Sequence, residues 1–330
     1  MLDFKLAQPQ QETQPDADSG PDDQVYDLVI IGGGPAGLTA AIYAGRARVK
    51  TLALVGSLPG GQTANTDVVE NYPGFPEGIK GPELAQKFQE QAGRFGAQVV
   101  VDNVTEVDFS ASPFTIRTHG AAYQAQTVIV ATGAEPRRLG VPGEEKFFGR
   151  GVSVCATCDG FFYRDKRVVV VGGGDSAITE AIFLTRFASE VIVIHRRDEL
   201  RATKIHQEQA LDNPKINVLW DSVVEEVLGE QTVNSVRVRN VKTNQTSILE
   251  TDGVFLYVGM KPKTETFAGQ LELDEQRYIV SDRRQRTNVP GVFVAGDVQD
   301  PLYRQVVVAA GTGAIAAMEA EKFLERHSQS

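Results

Sequence analysis

Cysteine is scarce in this chain of 330 residues: there are two, alongside a single tryptophan. Two cysteines are too few for the disulfide framework that stabilises many small secreted proteins. No apolar run approaches the roughly 20 residues needed to span a bilayer. The N-terminus also lacks the basic and apolar regions of a secretory signal. We therefore expect a cytoplasmic protein that works in a reducing environment.

Positive charge is also in short supply, since 33 Lys and Arg face 43 Asp and Glu, a net charge of −10. This balance argues against nucleic acid or an anionic membrane as the main partner. The chain is long for one hydrophobic core, so two domains are expected. Residues 1–24 contain Gln, Asp and Pro but few large apolar groups, and we predict that they form a disordered arm.

Both cysteines lie in one short stretch, Cys155-Ala156-Thr157-Cys158, which Asp159 follows directly. Such a pair can close a small disulfide ring and exchange it with another dithiol. A structural zinc site would need about four ligands, and the four histidines supply no second ligand pair at suitable spacing. Two buried structural thiols are the other alternative. The pair lies between two dinucleotide-binding motifs, which favours redox exchange.

The first of these motifs follows a predicted buried strand over residues 26–31 and reads Gly32-Gly33-Gly34-Pro35-Ala36-Gly37. A helical pattern begins immediately after it. Gly32 permits the tight turn, Gly34 lets a pyrophosphate approach the backbone, and Gly37 allows close helix–strand packing. The helix N-terminus offers free N–H groups to the phosphates. A glycine-rich turn without a ligand is the alternative, and the flanking strand and helix argue against it.

The second motif, Gly172-Gly173-Gly174-Asp175-Ser176-Ala177, follows a predicted strand over 168–171, and Ala at its last position is an accepted variant. The next strand, 191–194, ends in His195-Arg196-Arg197, with Arg201 close behind. An acid at this place would bind the 2′-hydroxyl of NAD. Guanidinium groups suit a 2′-phosphate instead, because they bind phosphate in bidentate fashion. A solvated charged loop is the alternative reading.

The order of the remaining patterns predicts how the two units are connected. A strand over 127–131 ends at Thr132 and Gly133, and another over 292–296 delivers Asp297 at its carboxyl end. The second of these strands should return to the first unit. We therefore expect an α/β fold with two Rossmann-like dinucleotide-binding domains, the second inserted into the first. The expected boundaries are 25–138 with 265–330 for the first domain and 139–264 for the second. Further strands are predicted at 216–220, 234–240, 246–250 and 253–258, and a long helix at 304–325.

Taken together, these motifs resemble the low-molecular-weight thioredoxin reductases. The resemblance covers nearly all of the chain after residue 24. The position of the cysteine pair just before the second glycine-rich unit is a mark of this branch. The resemblance rests on Gly32–Gly37, Gly60-Gly61-Gln62, Val69-Glu70-Asn71, Ala131-Thr132-Gly133, Cys155–Gly160 with Phe161-Phe162, Gly172–Ala177, His195–Arg201, Gly296-Asp297-Val298 and Tyr303-Arg304-Gln305.

The resemblance implies a homodimeric flavoprotein that reduces thioredoxin with electrons from NADPH through FAD. Cys158 would face the flavin, Cys155 would attack thioredoxin, and Asp159 would act as acid and base. Thioredoxin would dock on Arg150, Phe161 and Phe162. Residues implied to bind FAD are Gly32, Gly34, Ala36, Gly37, Gly61, Gln62, Asn71, Thr132, Gly133, Asp297, Arg304, Gln305 and Val306. Residues implied to bind NADPH are Gly172, Gly174, Asp175, Ser176, Ala177, His195, Arg196, Arg197 and Arg201.

One departure from the family pattern is Leu58, which stands where many members place a ribose-binding acid. Two other functions remain open at this point. Some relatives keep the scaffold but take electrons from ferredoxin, and these generally lose the phosphate-binding arginines, which are intact here. The third possibility is a non-catalytic FAD-binding protein that uses its cysteine pair as a redox sensor.

Overall fold

The computed structural model describes residues 25–66 and 68–327, so the predicted arm over residues 1–24 lies outside the described residues. The helices are α1 (Pro35–Arg46), α2 (Gly81–Arg94), α3 (Ala156–Asp159), α4 (Asp175–Leu184), α5 (Lys204–Leu211) and α6 (Val306–His327). The strands are, in chain order, β1 (Val25–Ile31), β2 (Thr51–Leu54), β3 (Val68–Val69), β4 (Ile79–Lys80), β5 (Gln98–Val100), β6 (Val104–Asp108), β7 (Phe114–Thr118), β8 (Ala122–Val130), β9 (Ala134–Pro136), β10 (Val152–Ser153), β11 (Arg167–Val171), β12 (Glu190–Ile194), β13 (Ile216–Leu219), β14 (Ser222–Gly229), β15 (Val233–Asn240), β16 (Thr246–Glu250), β17 (Gly253–Leu256), β18 (Met260–Pro262) and β19 (Val292–Val294). None of the helices in the described ranges is long and apolar enough to cross a membrane.

The first sheet has seven strands in the order β5-β2-β1-β8-β7-β6, with β19 beside the carboxyl half of β8. Strands β1, β2, β5, β8 and β19 are parallel, whereas β6 and β7 pair antiparallel. Successive side chains of a strand point to opposite faces. Leu28 and Ile30 of β1 therefore join one core with α1, α2 and α6, and Val29 and Ile31 join another on the far side.

The second sheet is wholly parallel, in the order β10-β17-β11-β12-β13. Val168 and Val170 of β11 pack in one core with α4, and Val169 and Val171 pack in another with the antiparallel sheet β14-β15-β16. Continuous runs of buried valine are typical of strands covered on both faces. The prediction of an α/β fold with two Rossmann-like units is confirmed. The boundaries expected at residues 138 and 265 stay a prediction.

Two short strands link the sheets. β9 follows β8 of the first sheet and pairs antiparallel with β18, so that Pro136 lies opposite Met260. Lys263 Nζ lies 3.5 Å from a carboxylate oxygen of Glu135, and both side chains are half exposed. A solvent-exposed ion pair of this kind contributes little stability. The backbone pairing of β9 with β18 is thus the main ordered connection within this link.

Close packing of α1 against α6 depends on glycine. A Cβ atom on Gly313 would overlap the carbonyl oxygen of Ala36, whereas a Cβ on Gly311 would meet nothing within 4 Å. In the same way, a Cβ on Gly37 would overlap the carbonyl oxygen of Gly32, so the turn and the start of α1 touch backbone to backbone. These approaches bring the N-terminus of α1 to the carboxyl end of β1, where a dinucleotide-binding unit holds its ligand.

Candidate active site

The two cysteines form a disulfide at the start of α3, with the sulfur atoms 2.04 Å apart. Cys155 precedes the helix, and its Sγ accepts a hydrogen bond from the Cys158 backbone N–H at 3.2 Å. A donor aimed at a sulfur atom favours the thiolate once the disulfide is reduced. Within residues 25–66 and 68–327, no group of three or more His, Cys, Asp or Glu side chains is placed to hold a metal ion.

Asp159 directly follows Cys158 in the chain. Burial raises the pKa of its carboxyl, and the Ser153 hydroxyl, which donates a hydrogen bond to Asp159 Oδ2 at 2.6 Å, partly offsets this rise. Ser153 Oγ also accepts the N–H of Cys155 at 3.1 Å. A carboxyl whose pKa is raised is better matched to proton transfer near neutral pH. The position and the shift both suit the acid/base role expected for Asp159.

A cavity of about 760 Å³ at the carboxyl end of the first sheet contains most of the residues expected to bind FAD. Cys158 forms part of its wall, although it lies between β10 and β11, two strands of the second sheet. The expected residues that line the cavity are Gly32, Gly34, Ala36, Gly61, Gln62, Asn71, Thr132, Gly133, Asp297, Arg304, Gln305 and Val306. Gly37 is the exception, because it packs against Gly32 as described above.

The glycine turn of this cavity fits a dinucleotide phosphate. A Cβ atom added to Gly34 would meet nothing within 4 Å, so the backbone at the N-terminus of α1 faces open space. Gly133, which comes shortly after the neighbouring strand β8, is equally open. No side chain caps this helix N-terminus. Free N–H groups, the positive end of the helix dipole and open space together suit a pyrophosphate.

Hydrogen bonds to other parts of the chain fix two polar side chains of the cavity wall. Asn71 Nδ2 donates to Gln305 Oε1 at 3.1 Å, although the two residues lie 234 positions apart. The Thr132 hydroxyl donates to the carbonyl oxygen of Lys263 at 2.7 Å.

Arg304 has a left-handed backbone with φ of 50° just before α6. Left-handed backbone in a residue other than glycine often marks a functional site.

Asp297 is a partly buried acid that lines the cavity. Burial raises the pKa of its carboxyl to about 6, Asp300 adds to the rise, and Arg304 opposes it. Asp297 lies shortly after the end of β19 at Val294, in the 3₁₀ turn Gly296–Val298. A buried acid with few partners is costly unless a ligand supplies hydrogen-bond donors. The chemistry of this acceptor therefore fits a polyol such as a ribityl chain.

Leu58, where many relatives have an acid, also lies on the cavity wall and is exposed. Asp102 and Asn103 line the cavity too. Asn103 Oδ1 accepts the N–H of Ser57, and the carbonyl of Asp102 accepts the N–H of Gly56, so this loop is tied to the end of β2. The sequence motifs did not single out Asp102, an acid on the wall of the same cavity as Leu58.

A histidine ring packs directly against the second glycine turn. His195 is buried, and its ring would overlap a Cβ atom on Gly173. Its Nε2 lies 3.0 Å from the carbonyl oxygen of Glu199, a contact in which the ring nitrogen must donate. Burial lowers the pKa of His195, and Arg201, Arg197 and Arg196 lower it further. The ring therefore favours its neutral form beneath the turn, and its role as a phosphate ligand stays a prediction.

The remaining residues expected to bind NADPH surround this turn. Arg196, Arg197 and Arg201 are exposed, and none of them forms an ion pair with any other residue in the described ranges. Asp175 Oδ1 accepts the N–H of Thr203 at 2.9 Å and lies 3.0 Å from His206 Nδ1. Gly172, Gly174, Ser176 and Ala177 lie in the turn and the first part of α4. Three free guanidinium groups beside a helix N-terminus suit a phosphorylated ribose.

The residues expected to dock thioredoxin are accessible. Phe161 and Phe162 are 52% and 43% exposed, unlike most phenylalanines of the chain. Phe162 and Arg150 line a second cavity, of about 460 Å³, together with Asp159. Residues of the first unit, such as Asn65 and Asp297, line the same cavity. The structure thus brings two of the three expected docking residues to the side of the redox turn that carries Asp159.

The sequence patterns missed three side chains that contact the redox turn or each other. Ser153 holds Asp159, as described above. The backbone N–H of Ala156 donates to the Tyr257 hydroxyl at 2.6 Å. That hydroxyl in turn lies 3.4 Å from Glu180 Oε2. Only the position of Ser153, two residues before Cys155, could have drawn notice, because Tyr257 and Glu180 are distant in sequence.

Comparison with known proteins places these features in one family. The sequence model of the pyridine nucleotide-disulphide oxidoreductases matches residues 26–313. The thioredoxin reductase of Streptomyces coelicolor is 51% identical to this chain over 303 residues, which cover 91% of this chain and 94% of that protein. Such identity over nearly the whole of both chains leaves no large region without a counterpart.

Two solved structures show the same relation. A crystal structure of thioredoxin reductase from Streptococcus pyogenes superimposes with a TM-score of 0.88 at 46% identity, over 92% of this chain and 99% of that one. Thioredoxin reductase from Lactococcus lactis in its FR conformation gives a TM-score of 0.63 at 45% identity, over 91% and 99%. Identity and coverage are nearly equal in the two comparisons, so sequence divergence does not account for the lower score. The chain belongs to the pyridine nucleotide-disulphide oxidoreductase family and, within it, to the low-molecular-weight thioredoxin reductases.

Proposed function

We propose that this protein is an NADPH-dependent thioredoxin-disulfide reductase with FAD as its flavin. Membership of the family implies a flavin and a pyridine nucleotide. The observation that carries the proposal is the place of Cys158, on the wall of the same cavity as the Gly32–Gly37 turn and Asp297. A disulfide on the wall of a cavity that fits a flavin dinucleotide is placed to exchange electrons with it by contact. An FAD-binding redox sensor would also need this cavity, but it would not need the exposed arginines of the second unit.

Each group of residues has a separate task in the proposed reaction. FAD, when bound, would carry two electrons from the nicotinamide to the disulfide. The turn around Gly34 would hold its pyrophosphate, and Asp297 would accept a hydrogen bond from a hydroxyl group. Arg196, Arg197 and Arg201 would bind the 2′-phosphate of NADPH. Because both nucleotides would be held at fixed positions, the reacting groups would meet in the right geometry without a random collision.

The exchange with thioredoxin needs only residues of this chain and the partner disulfide. The Cys155 thiolate attacks one sulfur of thioredoxin, and the other leaves as a thiolate that takes a proton. Cys158 then attacks Cys155 Sγ, which restores the disulfide and releases the second thioredoxin thiol. Asp159 would carry the proton in these steps, since burial raises its pKa. Two disulfide bonds break and two form, so electrons balance.

We further propose that thioredoxin docks on Arg150, Phe161 and Phe162. Arg and aromatic residues are enriched among the side chains that dominate binding energy at interfaces. The exposure of both phenylalanine rings supports this surface. Assembly as a homodimer and a cytoplasmic location remain predictions from the family resemblance and the composition.

The roles of the two cysteines can be tested with serine variants. Cys158→Ser should accumulate a mixed disulfide between Cys155 and thioredoxin, because the thiol that would resolve it is absent. Cys155→Ser should form none. Both variants should lose steady-state thioredoxin reduction. Non-reducing mass spectrometry after mixing reduced protein with oxidised thioredoxin measures the adduct. An adduct formed only by Cys155→Ser would reverse the assignment, and full activity in either variant would exclude the mechanism.

The electron donor can be tested at the arginines. Changing Arg196 and Arg197 together to alanine should raise KM for NADPH and leave KM for NADH nearly unchanged, because only NADPH carries the 2′-phosphate. Two lost charge-assisted hydrogen bonds correspond to about a hundredfold. Stopped-flow absorbance of the flavin with each nucleotide measures the effect, and reduction by dithionite is the control. If NADPH reduces the unaltered protein no faster than NADH, the ferredoxin-fed function gains support.

The affinity for FAD should depend on pH through Asp297. Its carboxyl has a pKa of about 6 in the free protein, and a hydroxyl donor binds best to the ionised form. Affinity should therefore be full above pH 7 and fall as the pH drops through 6, approaching about tenfold per pH unit below it. Quenching of FAD fluorescence by the apoprotein measures Kd from pH 5 to pH 8. Asp297→Asn should bind more weakly with little pH dependence, and a flat profile in the unaltered protein would refute the assignment.

Finally, we propose that the second unit rotates about the β9–β18 link during turnover. Cys158 faces the flavin cavity in this structure, and the nucleotide turn belongs to the same unit. Both must reach one flavin, so they take turns. The lower TM-score of the Lactococcus lactis structure at equal identity supports more than one arrangement.

A crosslink across the second cavity tests this rotation. Asn65 and Thr232 lie on opposite units along its wall and are exposed. Asn65→Cys with Thr232→Cys, joined by a bismaleimide while the native pair is oxidised, should block flavin reduction by NADPH. The Cys155–Cys158 disulfide should still be reduced by small thiols. The same variant treated with a monofunctional maleimide is the matched control. Unimpaired reduction by NADPH in the crosslinked protein would rule the rotation out.

A further inference from the structure

The redox turn is held by hydrogen bonds at nearly every backbone N–H. Ser153 Oγ accepts the N–H of Cys155, and the sulfur and carbonyl oxygen of Cys155 accept those of Cys158 and Asp159. All three acceptors lie within the turn or just before it. The N–H of Ala156 is different, since its acceptor is the Tyr257 hydroxyl, 101 positions away, at 2.6 Å.

The direction of these hydrogen bonds is fixed by chemistry. An amide N–H only donates, so Tyr257 Oη must accept from Ala156 and keep its own proton for another partner. Glu180 Oε2, at 3.4 Å, is that partner. The contact is long, but it orients the Tyr257 proton away from Ala156 and leaves a lone pair facing the amide. Chains of hydrogen bonds of this kind strengthen each other in a low-dielectric environment.

Tyr257 is itself firmly placed. It follows β17 directly, and its N–H donates to the carbonyl of Val171 at 2.9 Å. Its carbonyl oxygen lies so close to Gly172 that a Cβ atom there would come within 2.6 Å. Its ring packs on the core that contains α4. The hydroxyl therefore projects from the carboxyl end of a central strand and provides a fixed reference point for the turn.

We propose that Tyr257 is a positioning residue for the redox pair, holding Ala156 so that Cys158 stays on the wall of the flavin cavity after the disulfide opens. The inference rests on the proposed function. Ala156 is fully buried and lies between the two cysteines, so a shift of its amide moves both sulfur atoms. While the disulfide is closed, the covalent bond also keeps the turn compact. Once the disulfide opens, only the hydrogen bonds keep the turn compact.

Because the dithiol depends on these hydrogen bonds more than the disulfide does, the direction of a change in their ratio can be predicted. Tyr257→Phe removes one oxygen atom and leaves the Ala156 N–H buried without an acceptor. The loss should disfavour the dithiol more than the disulfide, because only the dithiol depends on hydrogen bonds to keep its shape. We expect the dithiol-to-disulfide ratio in a dithiothreitol buffer to fall about tenfold. For this two-electron couple, tenfold is a potential more negative by about 30 mV.

The measurement is alkylation of free thiols in the flavin-loaded protein after equilibration, followed by mass spectrometry. Tyr123→Phe is the matched control: this tyrosine is buried in the first unit, and its hydroxyl makes no hydrogen bond to the described residues. Its ratio should equal that of the unaltered protein. Glu180→Gln keeps an oxygen for the tyrosine proton and should stay within about threefold, whereas Glu180→Leu should shift in the direction of Tyr257→Phe.

Two further readouts separate positioning from a general loss of stability and from a failure of the proposed function. The assay contains neither thioredoxin nor NADPH, so an inactive reductase would still show the shift. Hydrogen exchange of the Ala156 amide in the unaltered protein should be slow in both redox states, and this measurement needs no variant. An unchanged ratio in Tyr257→Phe, an equal shift in Tyr123→Phe, or rapid exchange at Ala156 in the dithiol form would overturn the proposal.

Discussion

Contact between a disulfide of one unit and a cavity of the other is the constraint on which the rest of the structure depends. Electron exchange by contact requires Cys158 to form part of the wall of a cavity whose glycine turn and partly buried acid belong to the first sheet. The chain meets this requirement by leaving the first unit through β9 and returning through β18, which pair with each other. The two crossings are therefore adjacent, and the second unit is attached at one place.

Parallel strands account for the position of the ligand-binding residues in both units. Gly32 follows β1, Thr132 follows β8 and Asp297 follows β19, and these strands are neighbours in the first sheet. Their carboxyl ends therefore open onto one edge, where ligands bind in sheets of this kind. The second sheet repeats the arrangement, since the second glycine turn, the arginine-bearing loop and Tyr257 follow β11, β12 and β17. Tyr257 thus reaches the redox turn from the same edge that carries the nucleotide turn.

Features with a local physical cause could be predicted from the sequence. The glycine turns follow from backbone approaches that only glycine permits, and the long helix expected at 304–325 lies at 306–327. The continuous valine run predicted β11, and the apolar residues of 234–240 predicted β15 closely. β14, in contrast, was not predicted, because Glu225 and Glu226 interrupt its apolar pattern. Both carboxylates pair with arginines of β15, Glu225 with Arg239 and Glu226 with Arg237, and this cross-strand pairing cannot be read from one segment alone.

Contacts between residues distant in sequence could not be predicted for the same reason. Asn71 and Gln305 were each expected at the FAD site, but nothing in either motif indicated that their side chains bond to each other. Nothing in the sequence indicated that Tyr257 contacts the redox turn, since a tyrosine at the end of a strand more often packs in a hydrophobic core than takes part in an active site. Its hydroxyl gains importance only because α3 places an amide 2.6 Å away.

Three partly buried acids, Asp159, Glu180 and Asp297, lie near the interface between the units. Burial raises the pKa of Asp159, of Glu180 and of Asp297. Arg304 opposes the rise at both Glu180 and Asp297, yet the pKa of each remains above its usual value. One guanidinium group therefore does not offset the desolvation of two carboxyls. Because Glu180 lies on α4 and Asp297 lies near the start of α6, the charge of this region depends on how closely the two units pack.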